Sequence, residues 1–464
     1  MDDFDLIVIG VGPAGEKAAA QAAYFGKRVV AIERAAQPGG AGTQTGTLPS
    51  KTLRETAMYL SGYRSREMYG VAVELEPSAT LEGLMSRKAT IVASESQRIR
   101  DNLARHGVTC LQGVASFVDP HTVEIAGKDG ARRVKGAAIL IATGSRPARH
   151  PDIDFADDRI HDSDEILHIQ HLPASLAILG AGVIGCEYAC MFAALGVKVT
   201  LVDARDTLLT FLDREMVEQL AGSMRRMGVD LRLGMRWTSV KRDGERVVAK
   251  FHDGTEVTTE QLLYAAGREG CTQELNLAAL GIVPDKRGYL IVNGRYQTSV
   301  AHILAAGDAI GFPALAATSM EQGRVAVCNA FNFAYKQSVN ELLPYGIYTI
   351  PEVSALGETE ESCQAKAIRY VAGRAHYAQN ARGKISGDTE GLLKLIVDSA
   401  TRKVLGVHVI GERATELVHI GQAVIHLGGT VDVFIEMVFN FPSLAEAYKY
   451  AAYDCLGQLG KAIE

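Results

Sequence analysis

One pattern, written twice, limits what this chain can become more than any other feature. Asp5-Leu6-Ile7-Val8-Ile9 reads as a buried strand and leads straight into Gly10-Val11-Gly12-Pro13-Ala14-Gly15. Small residues over 16–25 have the composition of a helix, and Arg28-Val29-Val30-Ala31-Ile32 reads as a second strand ending in Glu33. The succession then returns. Leu176-Ala177-Ile178-Leu179 runs into Gly180-Ala181-Gly182-Val183-Ile184-Gly185, then a helix, then Val197-Lys198-Val199-Thr200-Leu201-Val202 and Asp203. Each acid falls 23 residues after the first glycine of its copy, and Gly26 and Gly196 fall 16 after theirs. Agreement at both offsets identifies two copies of one strand–helix–strand dinucleotide-binding unit. The three glycines have separate tasks: a tight turn, backbone approach to a pyrophosphate, and close packing of helix on strand. The pyrophosphate rests on the helix N-terminus, where free N–H groups and the helix dipole favour an anion. The terminal acid takes ribose hydroxyls.

Size and charge narrow the classes. A chain of 464 residues, 47% hydrophobic, can bury two to four cores. A net charge of −6 with a pI near 6.1 argues against nucleic acid as an obligatory partner. No apolar run approaches the roughly 20 residues of a membrane-spanning helix, and no secretory leader precedes the first strand. The seven cysteines form neither a Cys-x-x-Cys pair nor a zinc spacing, and Cys186 and Cys190 are expected as buried thiols one helical turn apart. A cytoplasmic enzyme with reduced, mostly structural thiols is expected.

Residues 39–51, Gly-Gly-Ala-Gly-Thr-Gln-Thr-Gly-Thr-Leu-Pro-Ser-Lys, resemble the redox loop of the flavoprotein disulfide reductases. Other marks of that family follow in order: Ile139 to Pro147, Tyr264-Ala265-Ala266-Gly267-Arg268, and Thr298 through Gly307-Asp308. Tyr348-Thr349-Ile350-Pro351-Glu352 and Thr415-Glu416-Leu417-Val418-His419 resemble its dimerisation domain. The resemblance implies an α/β fold of two Rossmann-like units, one for FAD and one for NAD(P), plus a C-terminal α+β dimerisation domain. Expected boundaries are 1–150 for FAD, 151–270 for NAD(P), 271–343 for a central part completing the FAD site, and 344–464 for the interface. It implies that FAD is held by Gly10, Gly12, Pro13, Ala14, Gly15, Glu33, Arg34, Gly40, Lys51, Ala115, Thr143, Gly144, Asp308 and Ala316. Gly180, Gly182, Ile184, Gly185, Asp203, Arg205, Gly267 and Arg268 would hold the nicotinamide nucleotide. A homodimer or larger homo-oligomer is implied as well.

The loop departs from the family in one decisive respect. Gly42 and Thr47 stand where the family has its two redox cysteines, and neither can form a thiolate or a disulfide. Near the C-terminus, Phe441-Pro442-Ser443-Leu444-Ala445-Glu446 keeps the frame of the family's His-Pro-x-x-x-Glu but replaces its acid–base histidine by Phe441. Thiols and base are missing together, which excludes lipoamide, glutathione and thioredoxin reduction. What survives is Lys51 with Glu187, which in the family pair beside the flavin where nicotinamide delivers hydride. They are the expected catalytic residues. Val183 occupies the place of an aromatic gate in some members, so nicotinamide access is expected to be open.

Residues 45–51, 180–187, 347–352 and 440–448 resemble the soluble pyridine nucleotide transhydrogenases, which pass hydride between nicotinamides through FAD without a dithiol. At Asp203 the NADP-using members avoid an acid, because a carboxylate accepts the 2′-hydroxyl of NAD and repels the 2′-phosphate of NADP. Arg205 can offset that repulsion. NAD(H) is therefore expected as the preferred nucleotide, with NADP(H) tolerated. Two other readings stand beside transhydrogenation: an NADH-dependent reductase of quinones, dyes or metal ions using the cysteine-free face, and a non-catalytic nucleotide-binding sensor.

Overall fold

The structure is a computed structural model and describes residues 2–63, 69–70, 76–128 and 130–461. Its N-terminal sheet grows from the first fingerprint. Asp2–Ile9 pairs in parallel with Val29–Glu33 on one side and with the long strand Gly130–Ile141 on the other. The apolar runs Leu6–Ile9, Val29–Ile32 and Ala138–Ile141 within these strands follow from their position, buried on both faces. Between them the helix Pro13–Tyr24 begins directly after Gly12, three residues earlier than small-residue composition indicates. Proline is well suited to that first position, since it lacks the N–H that would go unpaired there. The far strand Ile303–Ala305 joins the same sheet beside Gly130–Ile141, and the helix Ala316–Phe331 packs on Pro13–Tyr24. Thus residues near 305–330 complete the first unit from a distance.

The second fingerprint builds an all-parallel sheet of five strands. Ser175–Leu179 lies at its centre between Lys198–Asp203 and Gln261–Tyr264. Three antiparallel strands over residues 237–259 cover one face, sharing a core of Leu179, Val202, Val247, Phe251 and Leu262. On the other face the helix Val183–Ala194 packs against Thr47–Ser61, the helix that follows the vacant redox loop. The C-terminal sheet is wholly antiparallel, five strands between residues 345 and 410, with the helices Ala414–His426 and Ala447–Lys461 laid on it. All seven cysteines are free, and Cys186 and Cys190 are fully buried. Among the described residues no helix is long and apolar enough to cross a membrane, and no cluster of side chains has the makings of a metal site.

Candidate active site

A cavity of about 1220 Å³ runs between the two fingerprints and reaches the start of the C-terminal sheet. Every residue singled out in the sequence as a site residue lines it, apart from Gly15 and Gly185. Those two act at one remove. A Cβ on Gly15 would lie 1.9 Å from the Gly10 carbonyl oxygen, and one on Gly185 would lie 1.8 Å from that of Gly180. Each lets its helix press onto its strand, which aims the helix N-terminus into the cavity.

Both terminal acids turn back to their fingerprints. The Val11 amide donates to Glu33 Oε2 at 2.9 Å, and the Ala181 amide donates to Asp203 Oδ2 at 2.6 Å. Asp203 also accepts from Arg205, through its backbone N–H (2.8 Å), Nε (2.9 Å) and Nη2 (2.7 Å). Burial raises the Asp203 pKa, but the Arg205 bonds outweigh it and leave the carboxyl below its ordinary value. Arg34, by contrast, ion-pairs with Glu274, and both are exposed at the cavity wall.

Lys51 and Glu187 meet because their helices pack. Leu53 and Ala57 on one, with Cys186, Ala189 and Cys190 on the other, belong to one apolar cluster. On the cavity side this leaves Lys51 Nζ donating to Glu187 at 2.6 and 2.9 Å. The Tyr348 amide donates to Glu187 Oε1 at 3.0 Å, and the ammonium lies 5.0 Å from the Tyr348 ring centroid. With two partners on Glu187 and a ring beside Lys51, the ammonium is fixed on the cavity wall instead of trailing into solvent.

A second chain of contacts joins the halves. Asp308 accepts from Ser145 Oγ at 2.9 Å, and Arg268 donates to Ser145 Oγ and to its carbonyl, each at 2.8 Å. The strand Arg268–Gly270 pairs antiparallel with Ser145–Pro147, which brings the Arg268 guanidinium onto Ser145. Asp164, 4.0 Å from Arg268, also lines the cavity, with one buried carboxylate oxygen lacking a hydrogen-bond partner among the described residues. Ser145 and Asp164 were not foreseeable as contacts, because nothing in their local sequence signals a partner 100 or more positions away. The same holds for Phe211, Phe312 and Tyr345, whose rings line the cavity where Val183 alone suggests an open approach.

The walls fit a dinucleotide cofactor. The Thr143 hydroxyl is buried without a partner among the described residues, so a polar ligand atom is needed to satisfy it. Gly144 and Gly267 hold positive φ, +71° and +128°, with nothing within 4 Å of a built Cβ, leaving room for close approach of a ligand to the backbone.

Comparison with known proteins agrees. Residues 4–323 match the family model described as pyridine nucleotide-disulphide oxidoreductase, and residues 343–452 match its dimerisation domain. The chain is 46% identical to the soluble pyridine nucleotide transhydrogenase of Mycobacterium bovis, over 99% of its own length and 98% of the relative's. It is 41% identical to the protein of that name from Colwellia psychrerythraea, covering 98% and 99%. Among solved structures, LpdA from Mycobacterium tuberculosis superposes with a TM-score of 0.90 at 27% identity, covering 98% and 99%. The Cu(II) complex of the flavoprotein disulfide reductase RclA from Escherichia coli gives 0.89 at 26%, with the same coverage. The chain belongs to the pyridine nucleotide-disulphide oxidoreductase family and is an FAD-dependent NAD(P)H oxidoreductase.

Proposed function

We propose that this protein is a cytoplasmic, homodimeric transhydrogenase, passing hydride from one nicotinamide nucleotide to another through FAD with no dithiol relay. The observation that carries the reading is the Lys51–Glu187 pair, intact on the wall of a cavity from which both thiols are missing. When bound, FAD takes hydride from a reduced nicotinamide and returns it to an oxidised one. The protein's part is to hold, orient and neutralise. Lys51 sets a fixed positive charge where negative charge develops, and Glu187 with the Tyr348 amide prevents that charge from turning away. The first fingerprint, Glu33, Thr143 and Asp308 hold the cofactor. The second fingerprint, Asp203, Arg205 and Gly267 hold the substrate nucleotide. This reading places the FAD unit at 1–150 with its completion at 271–343, the NAD(P) unit at 151–270 and the interface at 344–464.

Hydride enters and leaves through one nucleotide channel, so the first nucleotide departs before the second binds. That order gives parallel lines in double-reciprocal plots. The competing reading, a quinone reductase, needs room where the family's cysteines would stand. A Cβ at Gly42 would already lie 2.9 Å from Pro13 Cγ, so the glycine frees little space. The test compares turnover of NADPH with a thio-NAD acceptor against turnover of NADH with a soluble quinone. Brisk quinone reduction beside negligible thio-NAD reduction overturns transhydrogenation and leaves an NADH dehydrogenase. Lipoamide and glutathione disulfide are expected to give no turnover.

A further inference from the structure

Three aromatic rings of the cavity wall have no part in the chemistry just described. Phe211 follows the strand that ends in Asp203, Phe312 follows Asp308, and Tyr345 opens the strand Tyr345–Ile347. The Tyr345 ring lies 5.2 Å from Phe211, centroid to centroid, and 6.4 Å from Phe312, to which it is within 21° of parallel. Phe312 is 81% exposed and Phe211 45%. All three line the cavity, so these rings form its solvent-facing mouth. Three separate segments converge to leave large apolar faces in water, which offers no gain in stability to the protein alone. The cluster is tied to the reacting end. Tyr345 is three residues before Tyr348, whose amide holds Glu187. At about 3.3 Å per residue the mouth is roughly 10 Å from the Lys51–Glu187 pair.

The ligand that passes this mouth has a planar ring with two charge states. The oxidised nicotinamide is a cation and the reduced one is neutral. Aromatic faces are electron-rich and attract a cation laid over them, whereas the neutral form gains only apolar contact. We propose that Phe211, Tyr345 and Phe312 form a stacking subsite that captures the nicotinamide ring at the cavity mouth and favours its oxidised form. The proposal rests on the cavity's use of nicotinamide nucleotides and is independent of the final acceptor. Such a subsite holds the oxidised nucleotide where a transhydrogenase needs it, as the hydride acceptor that replaces a departed donor.

The test measures binding to the FAD-loaded enzyme without turnover, using NAD⁺ and the neutral, unreactive 1,4,5,6-tetrahydro-NADH, each followed by calorimetry. Phe312→Ala is expected to raise the Kd for NAD⁺ about two- to fivefold, with tetrahydro-NADH changed far less. Phe312→Trp restores the NAD⁺ preference. Phe312→Leu, which keeps apolar bulk without a π face, does not. Equal weakening of both ligands, a wild-type ratio in Phe312→Leu, or a shift in oligomeric state with the ratio unchanged each overturns the subsite. Wild-type enzyme that binds neither ligand refutes the nicotinamide reading itself, a separate failure.

Discussion

The two fingerprints use the same turn in opposite surroundings. Gly10 and Gly180 both hold positive φ, +96° and +115°, and the next amide in each copy reaches the terminal acid. Beyond that they diverge. A Cβ on Gly12 would lie 3.6 Å from Gly40 Cα, because the chain entering the vacant redox loop folds across the first turn. A Cβ on Gly182 would meet nothing within 4 Å. Both turns line the cavity, but the first is roofed in part by its own chain and the second is not. The helices behind them differ too. The first is rich in alanine and lies so close to its neighbour that a Cβ on Gly323 would stand 2.2 Å from the Ala14 carbonyl oxygen. The second buries Tyr188, Met191 and Phe192. A roofed turn suits a group that stays, and an open one suits a group that must come and go.

The hardest way to break that comparison is to fill the glycines. Gly15→Ala puts a methyl 1.9 Å from a backbone oxygen that cannot move without pulling the helix off its strand. We expect no folded, yellow protein. Gly182→Ala fills only open space, so the flavin-to-protein absorbance ratio should hold while NADH binding weakens by roughly tenfold or more, as a methyl displaces backbone from pyrophosphate. Loss of flavin from Gly182→Ala would show that the two turns are not separate in use.

An open site on a loosely held unit would lose its aim, and a buried charge cluster anchors this one. Asp213 caps the helix Arg214–Arg226 and accepts from Lys394 Nζ of the C-terminal sheet at 2.8 and 2.9 Å. Lys394 also meets Glu215 and Glu360, and its side chain is 2% exposed. Lys394→Met strands Asp213 as an unpaired buried carboxylate, at a cost of about 3–5 kcal/mol. A clear drop in the thermal midpoint at neutral pH should follow. Burial pulls the Lys394 pKa down, but its bonds to Asp213, Glu360 and Glu215 pull harder and leave it above its ordinary value. Its stabilisation is therefore complete below the ordinary lysine pKa and is lost as pH rises through the higher folded value. In Lys394→Met that alkaline loss should disappear, and an unchanged alkaline limb would assign it to another group.

At the reacting end, Lys51→Met should slow flavin reduction by NADH about 100-fold while changing the nucleotide Kd much less, because the charge is wanted where negative charge develops. Stopped-flow reduction across NADH concentrations separates the two. Equal loss in both would make Lys51 a binding residue only. Glu187→Gln should fall between wild type and Lys51→Met, since the amide still accepts from Tyr348 but no longer carries the opposing charge.

Local sequence carried the two units well because each is set by contacts within 23 residues: turn, helix, strand and acid. The first helix begins at Pro13, three residues before the small-residue run, because proline suits the first helical position. The Lys51–Glu187 pair was legible only through family resemblance, since the two are joined by helix packing across 136 positions. The cluster around Lys394 and the rings at the mouth were invisible. A lysine in an apolar strand or a phenylalanine in a loop has no periodicity that tells which distant segment will face it.

The last prediction concerns the open copy's own acid. Asp203 is ionised at neutral pH, and its charge is already matched by Arg205 through two guanidinium bonds. The 2′-hydroxyl of NAD can donate to this carboxylate, while the 2′-phosphate of NADP meets a like charge. Two unit charges about 4 Å apart cost roughly 4 kcal/mol at an effective dielectric near 20. Arg205 lies against the same carboxylate and is half-exposed, so screening and neutralisation reduce the discrimination to about 1–2 kcal/mol. Asp203→Asn removes the charge, keeps an oxygen for the Ala181 amide, and frees the guanidinium to meet the phosphate. The ratio of kcat/KM for NADPH over NADH should then rise about tenfold. Arg205→Ala in the same background should take back much of that rise, because the freed cation is half of the effect. Asp203 itself does not titrate across neutral pH, since its carboxyl is held below its ordinary value, so any drift of the wild-type preference there should follow the 2′-phosphate, whose second pKa is about 6. A ratio unmoved by Asp203→Asn would mean that the second copy's acid serves only its own turn, through the Ala181 amide, and does not discriminate between the two nucleotides.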